Sequence, residues 1–395
     1  MRRPPVVTTA FVVCAIAAAL PAGMSPAAAA DLTRQIRVEL PPDAASRFVV
    51  ENLAGTMRVV AGRGKGVVAV ATVHAETREI LDAVRFERVD SDQPREETGW
   101  PTLRVRYPLD RHETVRYPVD QHGDLVTIFG KILDGFHAGA KYDGRKVTVS
   151  SRDGVLVYAD VEVEVPAGEV EATFRNLVGR LQGRGVSGRI RFDTSSGNVD
   201  LEAVRGTIVA DTGSGDVRAS GAQGSLRCDT GSGDVSVESF RGEILDCDTG
   251  SGNVTVRSAQ AKKFMGDTGS GNVRVLDADL GEFVADTGSG NVELQARSVA
   301  RLARVKADTG SGNVTLRLGP DASFEAFASQ GSGEIRNRYA DAEAIVKMKE
   351  LVGYRRGDGR IRIEVDTGSG NLTLDPGAVS EDRGRPGRTD SSRSR

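Results

Sequence analysis

The chain has 395 residues, with 52 Lys and Arg against 55 Asp and Glu and a formal charge of −3, a balance that excludes nucleic acid as the main partner. Aromatic residues make up only 5% while there are 47 glycines, which excludes a core built on large rings and implies a narrow interior of small and β-branched side chains.

Met1-Arg2-Arg3, an apolar run from Val6 to about Leu20 and Ala28-Ala29-Ala30 before Asp31 have the three parts of a secretory signal peptide. Residues 1–30 are therefore set aside from the fold. The apolar run is shorter than the roughly 20 residues a bilayer span needs, and Cys14 lacks the Leu-Ala-Gly lead of a lipoprotein site. The mature protein is expected to be exported, in the periplasm, at the cell surface or secreted, and not to span the membrane.

Residues 31–165 read as an N-terminal β layer. Ile36 to Leu40, Phe48 to Val50 and Val67 to Val73 are strand-like, and Asn52 to Val59 resembles a worn copy of the turn and strand that recur later. From about 85 to 145 the pattern lapses. Glu76 to Val84 reads as a short helix or loop, Leu103 to Tyr107 and Thr114 to Tyr117 as strands, and Ile128 to His137 as an apolar excursion. This stretch is expected to be an insertion or cap that does not stack with the rest. Alternation resumes at Lys146 to Ser150 and at Ala159 to Val165.

From 166 to 376 the chain is organised by eight near-copies of Asp-Thr-Gly-Ser-Gly-Asn/Asp-Val. They begin at Asp193, Asp211, Asp229, Asp248, Asp267, Asp286, Asp308 and Asp366, the first seven 18 to 22 residues apart. A fixed period in this range marks a solenoid. Each turn from Asp211 onward carries two glycines, at Gly213 and Gly215, Gly231 and Gly233, Gly250 and Gly252, Gly269 and Gly271, Gly288 and Gly290, Gly310 and Gly312, and Gly368 and Gly370. After each turn come two apolar residues one apart, such as Val235 and Val237. Before it comes a second alternating pair, such as Leu245 and Cys247. Alternation at period two is a half-buried strand. The expected fold is therefore all-β: a single-stranded parallel β-helix or solenoid, right-handed, with two short strands per coil. Coils stacked about 4.8 Å apart bury each inward residue against its counterparts above and below.

A drifted copy at Ser329-Gln-Gly-Ser-Gly-Glu-Ile is expected to continue the array. Between about 338 and 355 the period breaks, and Ala344, Ile345, Met348, Leu351 and Val352 suggest a short amphipathic helix that closes the open end of the solenoid. Residues 377–395, rich in Arg, Ser and Gly, have no apolar period and are expected to be a disordered tail.

Two readings of the turn are open. In one, each leading aspartate accepts the backbone N–H groups of its own Gly-Ser-Gly with the Thr hydroxyl assisting, and the Asn or Asp before Val is chosen for its tolerance of left-handed backbone angles. In the other, Asp211, Asp229, Asp248, Asp267, Asp286 and Asp308 form a calcium-binding column. Asp-Thr-Gly also opens the active loop of aspartic proteases, but copies one coil apart lie in a column and do not face each other across a cleft. Cys228 and Cys247 share one inward site on neighbouring coils, which allows a disulfide or two buried thiols. Arg175, Arg180, Arg184, Arg189 and Arg191 form a basic cluster that reads either as a solvated face or as an anionic-glycan contact. His74, His112, His122 and His137 show no metal-ligand spacing, and no catalytic or cofactor signature stands out.

The leader, the Ala159-Asp-Val-Glu-Val-Glu-Val-Pro-Ala-Gly strand, the Asp-Thr-Gly-Ser-Gly-Asn-Val series and the interruption before Asp366 together resemble the bacterial putative-adhesin family, a domain of unknown function. The resemblance spans nearly all of 35–376. It implies a β-solenoid at the cell envelope and supplies no catalytic residues. Function is accordingly expected to be a non-catalytic binding or scaffolding surface for an envelope protein or glycan, without a cofactor. A carbohydrate-active enzyme on a β-helix and a calcium-stabilised spacer are the alternatives.

Overall fold

Each period closes into one coil: a long strand, a Gly-rich corner, a four-residue strand and a second corner. Arg205–Ser214, Val217–Ser220 and then Gln223–Thr230 show the plan in the computed structural model, which describes residues 32–90, 97, 99–118 and 137–377. Successive coils pair in parallel and in register, so that Asp211 lies beside Asp229, Thr212 beside Thr230, and Val217 beside Val235. The result is a β-solenoid with two principal walls.

Alternation decides what each wall buries. On the long-strand wall the inward column runs Ile208, Leu226, Leu245, Phe264, Phe283, Val305 and Ile363, and a second column holds Ala210, Cys228, Cys247, Ala285, Ala307 and Val365. On the short-strand wall Val217, Val235, Val254, Val273, Val292, Val314 and Leu372 are all at most 1% exposed. These are the inward pairs expected from the sequence. A further column, Val186, Val204, Ala222, Phe240, Ala259, Ala278 and Leu302, fills the second corner. That corner turns on a left-handed residue at Gly185, Ala203, Gly221, Ser239, Ser258 and Asp277, with φ between 53° and 67°. Phe174 stacks on Phe192 at 5.5 Å and Phe264 on Phe283 at 5.4 Å, placing the few rings where adjacent coils each have room for one.

The ends depart from the expected order. Residues 85–145 were expected not to stack, yet Pro101–Arg106 pairs in parallel with Arg47–Ala54 and so adds a rung to the long-strand wall, with Arg85–Asp90 antiparallel outside it. Val155–Val165 likewise lies parallel to Met57–Ala61, followed outward by Val67–Ala75 and Leu32–Leu40. The excursion covers strand edges that would otherwise be left unpaired. Glu76 to Val84 contains one helical turn and a half, Arg78–Ala83, capped where the Ile80 N–H donates to Thr77 Oγ1. Most of Ile128 to His137, and the residues 1–30 and 378–395 read as leader and tail, lie outside the described residues.

At the C-terminal end the helix expected over 338–355 is replaced by a β-hairpin. Glu343–Lys347 pairs antiparallel with Glu350–Arg356, which pairs in turn with Phe324–Gln330. The edge of Phe324–Gln330 presents a row of backbone donors and acceptors that only another strand can satisfy. Closure of the end, expected of a helix, is therefore done by strands. The copies are also not stacked in sequence order. Ile361–Thr367 sits between Arg304–Thr309 and Phe324–Gln330, pairing with both in parallel. The Asp366 copy is thus an interior coil, and the drifted Ser329 copy is the outermost.

Both turn glycines are imposed by the coil beneath. A Cβ on Gly271 would lie 1.8 Å from the Gly252 carbonyl oxygen, and one on Gly290 1.7 Å from that of Gly271. Ser270, between two such glycines, points to solvent. Gly271→Ala is expected to destabilise the protein by about 3 kcal/mol, at the upper end for overpacking, whereas Ser270→Ala should stay within about 0.5 kcal/mol of the parent. Denaturant unfolding of the two variants checks the contrast.

Candidate functional site

The repeated phrase places one residue of each kind in a column, so the candidate site is a set of columns along the Gly-rich corner. Strand alternation turns Thr inward and Asp outward. The threonines Thr212, Thr230, Thr249, Thr268, Thr287, Thr309 and Thr367 are at most 1% exposed. Each hydroxyl of the central coils works twice. Thr268 Oγ1 donates to the Gly252 carbonyl of the preceding coil at 2.8 Å and accepts the Gly271 N–H of its own coil at 3.1 Å. Thr249, Thr287 and Thr309 repeat both bonds. The Asx turn expected of the leading aspartates is therefore made by threonine: the aspartate, one residue earlier, lies on the opposite face of the strand and cannot reach those amides.

The residue before Val forms a second column. The Asn272 N–H and side-chain amide both donate to Asn253 Oδ1 at 3.0 Å, and Asn291 does the same to Asn272 at 2.9 and 3.1 Å. The ladder runs through Asn198, Asp216, Asp234, Asn253, Asn272, Asn291, Asn313 and Asn371 to the Glu334 N–H. Left-handed backbone was the expected reason for Asn and Asp here. The left-handed non-glycine residues among those described are instead Asp143, Ala203, Ser239, Ser258, Asp277, Met348 and Lys349. What the position requires is an acceptor oxygen for the next coil's amide, which Asn and Asp both supply.

The aspartates form the outward column. At its N-terminal end the same row is occupied by Arg104, Glu51, Arg175, Asp193 and Asp211, in register on adjacent strands. Arg104 Nε donates to Glu51 at 2.7 Å and Nη1 to Asp143 at 2.7 Å. Arg175 meets Glu51 at 3.2 Å and Glu97 at 2.6 Å, and Thr173 Oγ1 donates to Glu97 at 2.7 Å. Burial works against the Arg104 charge, but the adjoining Glu51 outweighs it and holds the guanidinium above its ordinary value. A hollow of about 350 Å³ opens beside this network, lined by Arg104, Lys141, Tyr142, Asp143 and Arg175 among others. Its charged groups are mostly engaged with one another, which staples the head to the first coils.

Further along, ion pairs run out. Asp211 meets Arg191, and Asp229 meets Arg227. Among the described residues no ion pair reaches Asp248, Asp267, Asp286, Asp308 or Asp366. Partial burial, then the neighbouring carboxylates Asp229 and Asp267, raises the Asp248 carboxyl above its ordinary value. Burial and Asp286 do the same at Asp267, and burial, Asp286 and Asp366 at Asp308. The column is a line of like charges about 4.8 Å apart. No three His, Cys, Asp or Glu side chains among the described residues converge on a point where a metal ion could sit.

The remaining sequence candidates are dispersed or paired. Cys228 and Cys247 are buried side by side with free thiols, and their mutual hydrogen bond, then burial, pushes the Cys247 thiol up. The basic cluster divides between the walls. Arg180 faces Asp200, Arg184 Glu202, and Arg189 Glu171, while Arg175 belongs to the acidic column's own row and Arg191, two residues before Asp193 on the same strand, reaches across to Asp193 and Asp211. His74 stacks on Tyr158 at 4.4 Å and meets Asp160 at 3.3 Å, a structural role. The head network went unread in the sequence, because Glu51, Arg104 and Arg175 are far apart in the chain. The register of Asn52 with Asn176 was its one available signal.

Residues 102–375, more than half of the chain, match the Toastrack DUF4097 family. The chain belongs to that family. Toastrack DUF4097 is a domain of unknown function with a β-helix-like solenoid fold, and its match here begins in the strand that stacks on Arg47–Ala54, so the solenoid wall extends beyond the matched residues. A solved structure described as a "putative cell adhesion protein" from Clostridium sporogenes is 9% identical, covering 87% of this Toastrack chain and 99% of that chain with a TM-score of 0.17. Another, described as a "putative lipid binding protein" from Parabacteroides distasonis, is 11% identical, covering 86% and 96% with a TM-score of 0.36. No curated protein matches the sequence.

Two outcomes test the columns. Thr268→Val should cost about 1–3 kcal/mol by leaving a buried carbonyl and N–H without partners, and Thr268→Ser should recover most of it in the same unfolding measurement. A carboxyl whose folded value is raised is most favourable when protonated, so its contribution is fully present below the ordinary carboxylate value and lost as pH rises through the raised value. The triple variant Asp248→Asn, Asp267→Asn, Asp308→Asn should therefore melt higher than the parent at neutral pH. That advantage should shrink as the pH falls to the ordinary carboxylate range, and also in high salt.

Proposed function

We propose that this Toastrack protein is an exported, non-catalytic envelope component that presents its solenoid wall as a binding and scaffolding surface, with a basic partner on the acidic row. The observation that carries this reading is the unpaired run Asp248, Asp267, Asp286, Asp308 and Asp366, outward-facing and held one coil apart by in-register strands. Thr and Asn chemistry in the repeat is consumed in holding coils together, which leaves the carboxylates as the feature offered to a partner. A rigid line of charges favours an extended ligand that meets several of them at once, since each contact after the first is intramolecular. The hydrophobic stretch and Ala28-Ala29-Ala30 supply the route out of the cell, and no helix among the described residues is long and apolar enough to cross a membrane.

An extended lysine-rich peptide is the probe. Binding to the full chain should weaken steeply with salt, and should fall at least about tenfold, near 1.4 kcal/mol, in the Asp248→Asn, Asp267→Asn, Asp308→Asn variant. Equal binding by parent and variant would remove the acidic row from the function. Mass spectrometry of chain recovered from the envelope fraction of a bacterial host should find Asp31 as the first residue.

A further inference from the structure

The hairpin that closes the C-terminal end carries an apolar tip. Among the described residues the exposed large hydrophobics are Ile244, Val346, Met348 and Leu351, and three of these four fall within six residues at the hairpin turn. Met348 is 100% exposed and Val346 59%. Such clustering at one projecting point differs from the scattered single apolar residues of an ordinary surface.

Turn geometry sharpens the point. Met348 and Lys349 connect Glu343–Lys347 to Glu350–Arg356, and both have positive φ, 51° and 74°. A two-residue hairpin turn with positive φ at both positions is served best by Asn-Gly. Long side chains there are strained, and strain kept at an exposed site points to use, not stability. On either side of Met348 stand Lys347 and Lys349. Both are exposed, and neither has an ion pair among the described residues. Lys347 Nζ lies 5.3 Å over the Phe327 ring, and Glu350, beside it in register, is the nearest acid on the hairpin.

We propose that this tip docks on an anionic lipid surface. Met348, Val346 and Leu351 enter the interfacial layer, and Lys347 and Lys349 meet the headgroup phosphates with their methylene stems alongside the apolar wedge. Position supports this occupant: Glu343–Lys347 is the outermost strand of its wall, so no further coil covers the tip. A second copy fits less well. Edge pairing would use the five-residue strand, which is short and ends in lysine, and would leave the turn residue Met348 outside the ladder. The hairpin adjoins the end of the acidic row, where Lys347 lines one shallow hollow with Asp308 and Asp366, but the inference rests on the apolar tip and its turn and not on those carboxylates.

The test is flotation of the full chain with phosphatidylcholine vesicles, with and without phosphatidylglycerol. The parent should float with the anionic vesicles, and Val346→Asp with Met348→Asp, or Lys347→Glu with Lys349→Glu, should lower the bound fraction at least tenfold. Because residues 378–395 carry arginines of their own, the tip variants decide the outcome. Met348→Asn with Lys349→Gly is the decisive one: it should raise the melting temperature and abolish flotation together, which a failure to fold cannot imitate. Absence of binding by the parent, or undiminished binding by the tip variants, overturns the proposal. So does a shift from dimer to monomer on Met348→Asp in analytical ultracentrifugation, which would make a second copy the occupant.

Discussion

The structure depends on how closely the Gly-rich corners approach one another. With backbone atoms of adjacent coils too near for any Cβ at Gly271 or Gly290, a carbonyl and an N–H are brought within reach of a single buried hydroxyl. Threonine satisfies both at once, and a hydroxyl is the side-chain group that can donate and accept from the same atom in so small a space. Close approach requires glycine, glycine exposes the amides, and threonine pairs them. The rest of the repeat, from the Asn ladder to the in-register apolar columns, follows from the coil spacing this corner sets.

Much of this was legible in the sequence. The inward pairs were visible because alternation and period agree, so Val235 with Val237 or Leu245 with Cys247 could only face one way. What the turn residues do was not legible in the same manner. Asp and Thr are adjacent and both form caps and turns, and only the phase of the strand decides which of them faces the corner. The Asn ladder was misread for a related cause: its partner lies a full period away, and local backbone preference offered a sufficient explanation within the coil. The helix expected over 338–355 failed because an unpaired strand edge outweighs a weak amphipathic pattern. Glu51, Glu97, Arg104 and Arg175 come from separate segments, and no spacing in the chain announces that they meet.

Charge is distributed unevenly along the one row. At the head, arginine and carboxylate alternate on successive strands and bury their charges in mutual pairs. Towards the other end, aspartate follows aspartate and the pairs cease. The same position on the same wall thus serves cohesion at one end and presents charge at the other. Function in such an architecture is written in which side chain occupies an outward column, because the corner leaves no freedom to reshape the fold itself.

The interleaved last coils have a consequence for how the molecule is assembled. Because the Asp366 copy lies between the coils of Asp308 and Ser329, the outermost storey is laid down before the one beneath it exists. It must wait, without a neighbour, until the chain doubles back through the hairpin and slides the missing storey in. Loss of the final stretch would therefore leave a gap inside the stack and strand the roof above it. A simple tower can be shortened one level at a time, but this one is locked from above, and lengthening it by duplicating a repeat is open only within the consecutive run that precedes the lock.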